Sequence, residues 1–197
     1  DFRIEADSQE NMFFVDAENG RVGIKRNDPY CALDVTGTGR FSQGVLFGTD
    51  TQAQNFLDDY EEGTFVPSAE FTTTNPTSGG VTTGHGLYTK IGRLVTIHIR
   101  LVNINDTGAS GDLKITGLPY TSLVDSGDGA VAAFTGSVSH AHCNTAASTY
   151  LTSEILDNKA EVRIIENIDN ANRDPVNHGN ITDATTDFYI TVTYQTA

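Results

Sequence analysis

The chain alternates apolar and polar residues in short stretches, and turn residues separate most of them. In "LVTIHIRLV" (94–102), Val95, Ile97, Ile99 and Leu101 fall on one side, while Thr96, His98 and Arg100 fall on the other. A period of two is the signature of a strand with one buried face. "FYITVTY" (188–194) repeats it with Phe188, Ile190, Val192 and Tyr194. "DLKIT", "AVAAFTGSVS" and "EVRII" supply further strands; the last, inside "NKAEVRII", also has helical propensity, and its all-β surroundings favour strand. Gly117 and Pro119 close one strand, and Gly92 in "KIGRL" marks a tight turn at positive φ. Strands in this number, with Gly-, Pro- and Asn-rich connections, predict an antiparallel β-sandwich of jelly-roll type over 64–197.

Up to residue 48 the stretches are briefer: "FRIEA", "MFFVD", "RVGI", "ALDV" and "RFSQGVLFG". "AENG", "NDP" and "TGTG" interrupt them, and the Asn19-Gly20 pair is the strongest short hairpin signal. A segment of this kind buries too little apolar surface to stand alone. Phe13, Phe14, Val22, Ile24, Leu33, Val35, Val45 and Phe47 therefore need an outside surface to pack against. Neighbouring copies of the chain are the most economical supply, because closed symmetry covers every strand edge. Between the two parts, 49–63 reads as a short helical or irregular joint, with Asp50 or Thr51 as N-cap and Ala53, Phe56 and Leu57 on one side. The expected organisation is thus all-β: a segment over 1–48, a joint over 49–63 and a head over 64–197.

Composition narrows the partners. There are 26 acidic and 12 basic residues, a net charge of -14, which repels nucleic-acid phosphates and anionic lipid. No apolar run approaches membrane-spanning length, so neither nucleic acid nor membrane insertion is expected. Cys31 and Cys143 lie far apart and make no disulfide framework; they read as reduced thiols of a protein made in a reducing cytoplasm. The chain opens at Asp1 without methionine and is expected to be part of a longer polypeptide.

The order of motifs carries a resemblance. "ENMFFVDAENGRVGIKRNDPYCALDVTGTGRF" (10–41) resembles a segment recurrent in bacteriophage tail fibres and related fibrous adhesins, ahead of a C-terminal head. "LDDYEEGTFVP" (57–67) looks like the junction before that head, and "YTKIGRLVTIHIRL" with "LKITGLPY" looks like its first sheet. The chain departs from the pattern at Lys25, Arg26, Tyr30 and Cys31, where small residues are usual, and at Phe65, where Trp is usual. The resemblance implies an intertwined homotrimeric shaft, in which 22–35 pairs with adjacent chains rather than with itself, followed by three β-sandwich heads. It also implies a protein of the virion surface. Other virion proteins would lie on its N-terminal side, and a bacterial surface glycan or protein would be bound through the heads. Multivalency would then raise the avidity of weak single sites. A purely structural virion component, such as a head fibre, decoration or connector protein, is the alternative.

Candidate chemistry is sparse. In "SHAHC" (139–143), His140 and His142 would share a strand face, the spacing a metal site wants. The resemblance adds that some phage fibre tips use such a pair, although Val138 stands where Gly is usual. The plain alternative is two surface histidines. "DDYEEG" (58–63) gathers carboxylates that suit either a calcium ion or a structural junction, without EF-hand spacing. No nucleophile motif, zinc motif or phosphate loop is present, and neither catalysis nor a cofactor is expected. Receptor binding by stacking and hydrogen bonds has loop candidates in Tyr120, Asn144, Tyr150, Asn172, Arg173, Asn177 and His178. The polar stretch 166–187 is the most loop-like part of the head.

Overall fold

A computed structural model describes residues 1–42, 44–48, 56–57, 59–124, 133–145, 149–168 and 172–196. The described chain is strand and turn, with one 3-10 turn at His178–Asn180. It divides into two compact units, Asp1–Phe56 and Leu57–Ala197.

In the first unit β1 (Phe2–Ala6), β2 (Gln9–Asp16), β3 (Arg21–Ile24) and β4 (Leu33–Val35) form one sheet in that order. The β2–β3 hairpin turns where Asn19-Gly20 marks it, with Gly20 at φ 65° and Asp16 accepting from the Asn19 backbone N–H. β4 departs from the expectation. It pairs with β3 of its own chain, in parallel, Val22 opposite Leu33 and Ile24 opposite Val35. The connection 25–32 is shorter than the dozen or so residues that such a crossover ordinarily takes. Lys25 starts it at φ 56°. Arg21 then donates to the Pro29 carbonyl at 2.8 Å, Arg26 pairs with Asp34 at 2.9 Å, and the Arg26 guanidinium lies 4.4 Å from the Tyr30 ring centre. Arg21, Arg26 and Tyr30 thus hold this loop against β3 and β4. β5 (Val45–Leu46) and β6 (Phe56–Leu57) form a separate two-stranded ladder. Most of the expected joint, 49–55 and 58, lies outside the described residues, and Phe56–Leu57 is strand rather than helix.

The second unit is one antiparallel sheet of β7 (Tyr60–Phe65), β8 (Ser68–Phe71), β9 (Thr82–Thr83), β10 (His85–Ile91), β11 (Leu94–Leu101), β12 (Leu113–Thr116), β13 (Ala133–Ala141), β14 (Thr149–Leu156), β15 (Val162–Ile168), β16 (Asp174–Pro175) and β17 (Asp187–Gln195). Its order is β7-β10-β11-β17-β13-β14-β15-β12-β8-β9, with β16 paired to β15. The carboxylates of 59–62, expected in a joint, are instead at and beside the edge strand β7. The sheet curls until its far ends meet. β7 runs on into β8 through Val66 and Pro67, beside the passage from β9 into β10 at Gly84, with Gly86 opposite Phe65 and Ser68 opposite Thr83. Glycine is required at this corner. A Cβ on Gly86 would lie 2.4 Å from the Phe65 ring, and one on Gly84 would lie 2.2 Å from the Arg100 carbonyl oxygen.

The inner face holds the core. Val95, Ile97, Ile99 and Leu101 of β11 and Phe188, Ile190, Val192 and Tyr194 of β17 are all buried, as their alternation predicts. They face Ala69, Phe71, Leu113, Ile115, Val162 and Ile164 from the other half of the curl. "VRII" of the expected "EVRII" is strand in β15, which starts at Val162, and Gly92 turns at φ 56°. The stretch 166–187 is less loop-like than expected. Glu166 is buried within β15, and β16 and the 3-10 turn order much of the rest.

Candidate ligand-binding groove

The outer face of the same sheet carries the polar half of the alternation. Because β10, β11, β17 and β13 are neighbours in register, side chains far apart in sequence stand in rows across it. One row is Leu87, His98, Thr191 and Ser137; the next is His85, Arg100, Tyr189 and Ser139. Between these rows lies a groove of about 600 Å³, floored by Ile99, Val138 and Ile190. Leu87 is 56% and Tyr189 44% exposed, so both present apolar surface to solvent in the groove wall. His98 Nδ1 and Thr191 Oγ1 are 3.0 Å apart, which holds that imidazole in place. The Arg100 guanidinium has no hydrogen bond, ion pair or ring contact among the described residues. No Asp or Glu lines the groove among the described residues, in a chain with 26 acidic residues.

A second polar cluster is built for structure. Tyr88 donates to Glu61 Oε1, and Tyr120 donates to Glu61 Oε2 at 2.6 Å. The Tyr120 hydrogen bond, then that of Tyr88, holds the Glu61 carboxyl below its ordinary range. Both phenols move the opposite way, because the Glu61 carboxylate favours their protonated forms. Buried Lys90 pairs with Asp59 and lies 5.5 Å from the Tyr120 ring centre. Tyr60 donates to Glu62 at 2.9 Å. The described carboxylates of "DDYEEG" are thereby engaged with groups of their own chain.

The HxH pair does not share a strand face. β13 ends at Ala141, and His142 follows it at φ 54°, so the alternation is broken between the two imidazoles. His140 instead sets its ring 6.4 Å from Phe188. Among the described residues no group of three or more His, Cys, Asp or Glu is placed to hold a metal.

The loop candidates are dispersed, and several are occupied by the fold. Tyr120 serves Glu61, and Arg173 pairs with the buried Glu154 carboxylate. Asn177 caps the 3-10 turn by accepting from Gly179 N–H at 2.8 Å, which leaves His178 exposed on that turn. Asn144 is brought to the same place, since its carbonyl accepts from Asn180 Nδ2 at 2.8 Å. Asn172 is exposed, and Tyr150 is 68% exposed on β14. The groove residues were missed from sequence because each looked like the solvent side of an ordinary strand. The signal available was the repetition of His, Arg and Tyr at outward positions of β10, β11 and β17, and only the strand order joins them.

No protein-family model matches this chain, and no curated protein is similar to it.

Proposed function

We propose that the chain is part of a bacteriophage tail fibre, a non-enzymatic virion protein that assembles as a homotrimer and attaches to the bacterial surface through its C-terminal heads. The observation that carries this is the missing core of the first unit. Among the described residues of Asp1–Phe56 only Gly23 and Pro29 are buried. Phe2, Ile4, Leu33, Phe41 and Phe47 are each more than half exposed, at 57%, 51%, 54%, 64% and 64%. Such a set of strands calls for an outside surface to cover it, and other copies of the chain are the most economical supply. Phe13, Phe14, Val22, Ile24 and Val45 are half-buried and Val35 is exposed, and all are available to the same packing.

The second unit suits the opposite task. It has its own core inside a curled antiparallel sheet, and it presents a groove on rigid strands, where recognition groups are well positioned. Three such heads on one trimer multiply a weak site by avidity.

The test is the mass of the purified protein in solution, followed by binding of the labelled protein to candidate host cells. A trimer whose saturable binding competes with whole phage is the expected result. A trimer that binds no cell of a strain the phage infects would assign the chain to the structural components of the virion. A stable monomer would end the fibre reading.

A further inference from the structure

We infer that the groove binds a carboxylate-bearing sugar, with Arg100 pairing with the carboxylate and Tyr189 and Leu87 covering the ring; this rests on the reading of the second unit as an attachment head. The residue types point to an acid on a small ring. A free guanidinium is a planar fork that matches a carboxylate in bidentate fashion. Arg100 is flanked in register by His85 on β10 and Tyr189 on β17, so donors stand on one side of it and an aromatic face on the other. Ser137, Ser139 and Thr191 supply hydroxyls along the next strands, as polyols require. A phosphate dianion would call for several cations or a nest of backbone N–H groups, and the groove offers one arginine on flat strands.

The charge of the surroundings supports the same choice. Arg3, Arg26, Lys90, Lys114, Arg163 and Arg173 each pair with a carboxylate, whereas Arg100 stands in a groove lined without one among the described residues. The next carboxylate along β17, Asp187, accepts from the Asn103 backbone N–H at 2.8 Å and is held there. The overall charge of -14 opposes an anion at long range. At physiological salt, however, that repulsion is screened within about 8 Å, and the contact pair decides.

The experiment is calorimetric titration of the full chain with D-glucuronic, D-galacturonic and N-acetylneuraminic acids, each beside its neutral carboxamide. At least one acid is expected to bind more tightly than its amide. Arg100→Gln should lower that affinity roughly tenfold or more, and Tyr189→Ala should lower it without removing the preference for the acid. Binding of none of the acids, equal binding of acid and amide, or unchanged affinity in Arg100→Gln would overturn the assignment. A change of oligomeric mass in Arg100→Gln would also overturn it, by marking this face as a contact between copies. Cell binding separates this from the broader reading. An Arg100→Gln protein that still binds cells as well as the parent sinks the groove and leaves attachment standing. Acid binding by a parent protein that adheres to no cell leaves the groove standing and sinks attachment.

Discussion

Tyr194 Oη donates to the Tyr120 carbonyl oxygen at 2.8 Å, and Tyr120 in turn donates its own phenol to Glu61. Two hydrogen bonds thus link β17, in the middle of the sheet, to β7 at its edge through a residue in a connecting loop. Tyr194 is fully buried, and burial pushes its phenol up to about 12. Tyr194→Phe keeps the ring and leaves the Tyr120 carbonyl without this donor. The expected cost is about 1–2 kcal/mol, read as a lower denaturant midpoint at unchanged slope. An unchanged midpoint would mean that this bond contributes nothing net.

Glu61 makes the same region sensitive to pH. Its carboxyl is depressed by the two tyrosines, so its contribution to stability is present above the ordinary value of 4.5 and is lost as pH falls through the lower folded value. The phenols of Tyr88 and Tyr120 are raised above 10.0, so their contribution is complete below that pH and is lost as pH rises beyond it. Ultraviolet titration of tyrosine should show a fraction ionising late in the native protein. Glu61→Gln should bring the Tyr88 and Tyr120 part of that fraction back toward 10 while buried Tyr194 stays late, and an identical titration curve would show that Glu61 does not hold the phenols.

Gly136 and Ser153 face one another across the β13–β14 ladder. A Cβ on Gly136 would lie 2.2 Å from the Thr191 carbonyl oxygen and 2.7 Å from Ser153 Oγ. Gly136→Ala is expected to destabilise by about 2 kcal/mol or more, because the carbonyl belongs to the central strand and has no room to yield. Ser153 is fully buried, and its hydroxyl has no partner among the described residues. Ser153→Ala removes that uncompensated group and should leave stability equal or raise it by about 1 kcal/mol. A marked loss in thermal unfolding would instead reveal a hydrogen bond at Oγ.

The two thiols should differ in reactivity. Cys31 is exposed, whereas Cys143 is half-buried with its thiol pushed up to about 11, first by burial and then by the Glu166 charge. At pH 8 a disulfide reagent should label Cys31 rapidly and Cys143 at full rate only in denaturant. Equal rates in the native protein would place Cys143 in open solvent.

Much of the architecture was legible where the information is local. The buried faces of β11 and β17 follow from alternation, because successive side chains of any strand point to opposite sides. Asn19-Gly20 and Gly92 announce turns because they supply the positive φ that those turns need. The HxH pair shows the limit of that reasoning. The spacing was right, but the strand ends at Ala141 and His142 takes a left-handed conformation, which spacing does not encode.

The sequence by itself determined an all-β chain, its turns, the core-facing residues of its clearest strands, and an N-terminal segment too poor in apolar surface to enclose a core. Tertiary structure alone decided that β3 and β4 pair in parallel within one chain, that Glu61 holds two tyrosines, and that His85, Arg100 and Tyr189 share a row. The reason is physical. The pleat orients side chains from one residue to the next, whereas the order and register of distant strands come from burying one shared core, in which every strand constrains the others.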